Sequence, residues 1–343
     1  MRLFENPWRG TGLPEEVLHG APAPSIDADA PRALLEKCPA AAITPLVKVE
    51  GFGAEVWVKD ERGRMGLGSF KALGAAYVIA HAAVETGATD LRTALTGRTY
   101  VTASAGNHGL SVAAGASAFG ARAVVYLADT VPDSFALRLR AKGAEVVRAG
   151  SDYQQSMDAA MHAAEHEGWT LLSDSSWPGY FEIPHRLMEG YLAMAAEAAE
   201  AMPSPPTHIM LQAGVGGLAG AAAAYFRKVW GDGPRIIVVE PDAAPALQAS
   251  IEAGHAVNAP GPVSNMGRLD CKEPSLIALH GLARDADAFA LISDAEASDI
   301  LPKLARQGLA STPSGAAGLA ALACMDAAQD ARVLCILSEE PDA

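Results

Sequence analysis

Apolar positions recur with two periods along this chain, and each change of period marks an element. Over 54–59 polar and apolar residues alternate as in a half-buried strand, after similar strand-like material over 44–49. From Ser69 the spacing lengthens: Leu73, Ala76, Tyr77, Ile79 and Ala80 fall at three- and four-residue steps, predicting a helix with Lys71 at its head. Short, nearly continuous apolar runs then alternate with helical stretches. The runs over 99–103, 121–127, 145–147 and 169–172 read as strands, and 107–119, 134–142 and 153–167 as helices. Strands apolar throughout, each followed by a helix, predict a parallel α/β sheet. Gly120, Gly143 and Gly168 stand between helix and strand, where a helix ends most easily in a left-handed residue.

A turn at 177–180 leads to a helix over 184–201 and a proline-rich seam at 203–206. The alternation then resumes, with strands over 208–211, 235–239, 288–292 and 332–337 and helices over 217–226, 244–253, 294–307 and 315–326. Residues 261–274 lack periodicity and are rich in polar and turn residues, a loop long enough to suggest a site. The first 43 residues carry Pro7, Pro14, Pro22, Pro24, Pro31 and Pro39 and read as an irregular arm with one short helix over 31–37.

Composition narrows the function. The 343 residues are 50% apolar and 19% charged, which suits a globular chain with room for two cores. A formal charge of −14 disfavours nucleic acid and anionic membrane surfaces as partners. The alanine-rich runs are interrupted too soon to span a membrane. Cys38, Cys271, Cys324 and Cys335 show no metal-site or redox spacing, and the N-terminus lacks an apolar signal region, so reduced thiols and the cytoplasm are expected.

Three segments carry candidate chemistry. Lys71 follows a loop containing Gly63, Gly66 and Gly68 and has Phe70, Ala72 and Leu73 as neighbours. Alone it reads more readily as a solvated surface charge; buried, it would have a lowered pKa and could act as a nucleophile or Schiff-base partner. Ser104, Asn107 and the N–H groups beside them could hold a carboxylate at a helix start, where His108 could cap or simply pack. Gly214, Val215, Gly216, Gly217 and Leu218 lie between a strand and a helix, so their N–H groups could close around an anion. Gly214 and Gly216, with Glu240 at the end of the next strand, also mimic half of a dinucleotide fingerprint, making a nicotinamide oxidoreductase the rival reading.

Taken in order, these segments resemble the fold-type II pyridoxal-phosphate enzymes, the threonine and serine dehydratase group, and within them the diaminopropionate ammonia-lyases. Residues 66–75 resemble the Schiff-base lysine segment, 104–109 the loop that binds the substrate carboxylate, and 214–220 the phosphate loop. Residues 174–180 and 266–274 resemble segments particular to the ammonia-lyases. The resemblance implies a tryptophan synthase β-like α/β fold of two open, twisted, mostly parallel sheets flanked by helices. Residues 1–79 and 184–343 would form a large cofactor-binding domain and 80–183 a small inserted one, with the site in the cleft between them. It also implies pyridoxal 5'-phosphate as cofactor and a homodimer.

Carried over by residue, Lys71 would hold the cofactor covalently and then serve as base, with Phe70 beside it. Asn107 would bond the cofactor's phenolic oxygen, residues 214–218 its phosphate, and Ser338 would face the pyridine nitrogen. Ser104, Ala105, Gly106 and His108 would meet the substrate, with Asp174 and Lys272 reading its β-substituent and Asp174 also catalytic; Arg268, Asp270 and Glu273 are further polar candidates, and no metal is called for. Ammonia-lyases that accept both enantiomers carry an aspartate where this chain has Ala105, which argues for an L-amino acid. The implied reaction is α,β-elimination on a small amino acid with a β-amino or β-hydroxyl group, such as 2,3-diaminopropionate, giving a 2-oxo acid and ammonia. A serine, threonine or 3-hydroxyaspartate dehydratase, a β-replacement enzyme and a catalytically silent ligand sensor are the alternatives.

Overall fold

The structure, a computed structural model, describes residues 1–325 and 330–341. Its strands are β1 (Arg2–Glu5), β2 (Leu46–Val49), β3 (Glu55–Asp60), β4 (Thr99–Ala103), β5 (Arg122–Leu127) and β6 (Glu145–Arg148), then β7 (Thr170–Leu171), β8 (His208–Gln212), β9 (Arg235–Pro241), β10 (Ala288–Ile292) and β11 (Arg332–Leu337). They form a seven-stranded sheet in the order β1-β10-β9-β8-β11-β3-β2 and a four-stranded sheet in the order β6-β5-β4-β7. The smaller sheet is parallel throughout. In the larger one only the edge strands β1 and β2 run antiparallel to their neighbours. Helices cover the sheets, so interior strands are buried on both faces: every residue of β10 and Ile236 to Pro241 of β9 are buried. The molecule is therefore the α/β fold that the alternation predicts. Gly120, Gly143 and Gly168 do adopt positive φ, at 77°, 88° and 68°.

Four differences from the sequence reading have physical causes. The N-terminal arm is not wholly irregular, because Arg2–Glu5 precedes the first proline and pairs with the open edge of β10. Its four residues are too few for alternation to register. A helix over Leu276–Asp285 stands where the sequence reading has no element; all of its residues but His280 and Arg284 are buried, so its polar stripe is too narrow to stand out. Asn6 caps its end, donating to the carbonyls of Ala283 and Ala286 at 2.8 and 2.7 Å. The helix expected over 184–201 is two, Glu182–Gly190 and Leu192–Ala201, meeting at Tyr191. That expected over 294–307 is likewise two, Asp294–Asp299 and Leu301–Arg306, the second opened by Pro302. The last helix spans Ala317–Ala323; Asp326, where it was expected to end, lies outside the described residues.

No described helix is long and apolar enough to cross a membrane. The described residues contain no cluster of histidine, cysteine or carboxylate side chains that could hold a metal ion.

Candidate active site

Lys71 stands at the head of the Ala72–Glu85 helix, and the segment before it is tied to the end of β11. Phe70 N–H donates to the Ser338 carbonyl at 3.1 Å and Glu340 N–H to that of Gly68 at 2.9 Å, around a bridge between Ser69 and Glu339. Ser338 is thereby buried beside the lysine segment. The Lys71 ammonium lies 2.5 Å from Asp174 Oδ2. It also sits 5.2 Å from the centre of the Phe70 ring and 5.9 Å from that of Tyr191.

Tyr191 reaches the lysine because two helices cross closely. A Cβ on Gly74 would stand 2.7 Å from the Tyr191 ring, and one on Gly190 would stand 2.3 Å from the Leu73 carbonyl oxygen. The Tyr191 hydroxyl is buried with no hydrogen-bond partner, and burial pushes its pKa up to about 12.

A buried amine with no counter-ion has a lowered pKa, the expectation for Lys71 from sequence. The structure reverses it: the Asp174 carboxylate outweighs desolvation and holds the lysine above its ordinary value. The same contact holds Asp174 well below the usual carboxylate range, against burial. The two are an ion pair, not a neutral amine beside an acid. Asp174 is presented by a pinned segment rather than serving as a helix cap. The Tyr180 hydroxyl donates to the Leu171 carbonyl at 2.8 Å and accepts from Ser173 N–H at 3.1 Å, while its ring stacks on Trp177 at 4.4 Å.

The Asn107–Ala118 helix starts next to this pair, directly after β4. Ser104 Oγ accepts from the N–H groups of Gly106 and Gly109 at 3.2 and 3.1 Å, so this hydroxyl caps the helix. Ala105 is exposed at the turn. His108 is buried, its Nε2 2.8 Å from the Leu172 carbonyl and its Nδ1 without a partner. Burial lowers its pKa, so the ring is neutral, with Nε2–H donating and Nδ1 bare. Asn107 Nδ2 donates to Glu339 Oε2 at 2.6 Å.

Residues 214–218 connect β8 to the Gly217–Trp230 helix. Gly216 takes φ +101°, and a Cβ there would fall 2.9 Å from that of Ala278, so only glycine suits this turn. A Cβ on Gly217 would stand 3.7 Å from the Tyr191 ring and 3.9 Å from the Asp174 carbonyl oxygen, which turns the helix start toward the space around Lys71. We expect Gly216→Val to weaken cofactor binding by about tenfold or more through the strained turn, measured by equilibrium dialysis. These residues fit pyridoxal phosphate. An amine, a helix start where Gly216 and Gly217 leave the backbone N–H groups unshielded by side chains of their own, and the buried Tyr191 hydroxyl converge.

Other expected residues lie elsewhere. Lys272 is a correction: its ammonium donates to the Ala243 and Pro262 carbonyls, both at 2.9 Å, and to Asp270 at 2.5 Å, leaving no donor for a substrate. It fastens the 261–274 loop, with Asp270 as its partner, while Glu273 accepts from Asn258. Cys271 of that loop approaches the site, its Sγ 3.0 Å from where a Cβ on Gly214 would stand, and so does Arg268. Its side chain would meet a Cβ on Gly106 at 3.9 Å and its Nε lies 3.3 Å from Glu339 Oε2.

Glu240, the acid of the nicotinamide reading, is also committed. It accepts from the N–H groups of Leu247 and Gln248 at 2.7 and 2.8 Å, closing the start of the Ala246–Ala253 helix. Burial pushes its pKa from 4.5 up to about 8. The folded state thus holds a proton the unfolded state releases, so its contribution is full below about pH 4.5 and is lost as pH rises through about 8. Thermal melts of wild type should fall across that interval more steeply than those of Glu240→Gln.

Comparison with known proteins agrees with this geometry. A family model described as pyridoxal-phosphate dependent enzyme matches residues 38–339. The diaminopropionate ammonia-lyase of Salmonella typhimurium is 35% identical over 297 residues, 78% of this chain and 72% of that protein. The Escherichia coli ammonia-lyase of the same name is 34% identical over 306 residues, 82% and 77% of the two chains. The crystal structure of the Escherichia coli enzyme in complex with D-serine superposes with a TM-score of 0.87 at 30% identity, covering 99% of this chain and 93% of that one. Threonine deaminase isoform 2 of Solanum lycopersicum, at 20% identity and a TM-score of 0.80, shares the fold.

Proposed function

The chain belongs to the pyridoxal-phosphate dependent enzyme family, and from that premise we propose that it is an ammonia-lyase eliminating the β-amino group of a small L-amino acid, 2,3-diaminopropionate. When bound, the cofactor supplies a conjugated ring that takes up the electrons left at Cα. Lys71 would hold it covalently and, once released, move the Cα proton. Phe70 and Asn107 would flank the ring, residues 214–218 would hold the phosphate through backbone N–H groups, and Ser338 would face the pyridine nitrogen. The α-carboxylate would lie against the 104–108 turn, with the Ser104 hydroxyl and His108 keeping that turn in place.

The observation that carries the choice of leaving group is the ionised Asp174 beside Lys71. A carboxylate attracts a β-ammonium, which departs as neutral ammonia without receiving a proton. A β-hydroxyl needs an acid to leave, and Asp174 held ionised is a poor one. A second substrate carboxylate, as in 3-hydroxyaspartate, would look to Arg268, whose charge is already met by Glu339.

The test is product release from purified, cofactor-loaded protein offered L- and D-diaminopropionate, serine, threonine and 3-hydroxyaspartate. Diaminopropionate plus water should yield one 2-oxo acid and two ammonia, against one ammonia from serine. With Ala105 in place of an aspartate, the L-isomer should exceed the D-isomer in kcat/KM by about tenfold or more. Equal rates on both isomers would defeat the assignment of handedness, and faster turnover of serine the assignment of the leaving group.

The proposal extends to organisation. Residues 80–183, which contain the four-stranded sheet, would form the small domain, and 1–79 with 184–343 the large one, the Ala72–Glu85 helix crossing the boundary. A homodimer working in the cytoplasm completes the reading.

A further inference from the structure

We propose that Glu339 is a positioning residue that sets the Asn107 amide relative to Lys71; this rests on reading the site as that of pyridoxal phosphate. Glu339 is buried and follows directly on β11 and Ser338. Its backbone bridges to Ser69, two residues before Lys71. Its side chain reaches the other segments of the site. Oε2 accepts from Asn107 Nδ2 at 2.6 Å and lies 3.3 Å from Arg268 Nε, and Oε1 accepts from the Thr312 hydroxyl. The Ser311 hydroxyl donates to its carbonyl at 2.6 Å. Space is kept for it: a Cβ on Gly315 would stand 2.9 Å from Glu339 Cγ. One residue thus links the lysine segment, the start of the Asn107–Ala118 helix and the 261–274 loop.

A side-chain amide has two N–H donors and rotates as a unit. With one donor fixed on Glu339, the other is aimed, and Asn107 meets the cofactor in one orientation. Without Glu339 the amide is free to turn.

Both carboxylate oxygens accept, yet glutamine could fill the same place. Its oxygen would take the Asn107 and Arg268 bonds, and its NH2 would donate to the Thr312 hydroxyl oxygen. Aspartate keeps the charge but falls one methylene short of Asn107. Orientation therefore predicts that Glu339→Gln behaves as wild type, whereas Glu339→Asp and Glu339→Ala both lower kcat by about tenfold or more and shift the visible absorption band of the loaded enzyme. The Asn107→Ala variant should show the same band shift, and adding Glu339→Ala to it should change nothing further.

The experiment records spectra and kinetics of the holoenzyme variants, with melting curves alongside. If Glu339→Ala does not fold, the Gln and Asp variants decide between reach and charge. A Gln variant as impaired as Asp, an undisturbed band and kcat in the Asp variant, or a full further loss on the Asn107→Ala background would each overturn the proposal. A wild type whose visible band survives Lys71→Ala would instead defeat the family reading, and that control separates the two failures.

Discussion

Lys71→Ala is expected to abolish the visible band of the cofactor-loaded protein and to lower kcat on the order of a thousandfold or more. On the proposed reading two separate roles end with one side chain: the covalent hold on the cofactor and the movement of the Cα proton. No nearby lysine can substitute. Lys59 is buried against Glu197, and the Lys272 ammonium has given its donors to Ala243, Pro262 and Asp270. Removing the lysine also leaves Asp174 without its counter-ion, so burial then weighs more heavily and its pKa rises. Lys71→Arg separates these effects. It restores a cation for Asp174 but cannot form the covalent link, so it should fold and melt like wild type while staying as inactive as the alanine variant. An absorbance scan and a single-turnover assay of both variants suffice, and a band that survived in either would falsify the assignment.

Much of this site could be read before the fold was known, because its parts sit where a strand passes into a helix or loop. Asn107 follows β4, Gly214 follows β8 and Ser338 follows β11. Apolar runs ending in short polar or glycine-rich turns are visible in a sequence, and ligands gather at the carboxyl ends of parallel strands. What escaped depends on approach in three dimensions. Tyr191 lies in an apolar helical stretch and looks like core until Gly74 and Gly190 let two helices close on Lys71. Glu339, a few residues from the C-terminus, looks solvated until its partners surround it. Lys272 misled in the opposite direction. A charge in a polar loop looks aimed at a substrate, and only the fold shows two backbone carbonyls, from positions 243 and 262, capturing it.

The largest loss of stability is expected at a distance from the chemistry, in Glu197→Ala, at about 3–5 kcal/mol. Glu197 is buried with Lys59, Glu61 and Arg64. Its Oε2 receives the Lys59 ammonium at 2.6 Å and the Arg64 guanidinium at 2.7 Å. Arg64 also holds Glu61 at 2.7 Å and the Thr44 hydroxyl at 2.8 Å, while Lys59 donates to the Thr44 carbonyl at 2.6 Å. As it stands the cluster has two cations and two carboxylates. Deleting Glu197 leaves one buried positive charge with no partner, and the lysine is the weaker holder of its proton, since burial already lowers its pKa. Two consequences follow that a simple cavity would not produce. Removing the excess cation with Lys59→Met in the same chain should recover most of the loss, because Arg64 and Glu61 still balance. The deficit should also shrink as pH rises from 7 toward 9. With the folded lysine's pKa depressed further, the unfolded state binds more protons, and stability then increases with pH. Urea denaturation of the single and double variants at the two pH values measures both. The effect bears on catalysis as well, since Arg64 opens the short turn Arg64–Gly66 that leads into Lys71, and loosening that turn should weaken cofactor retention along with the fold.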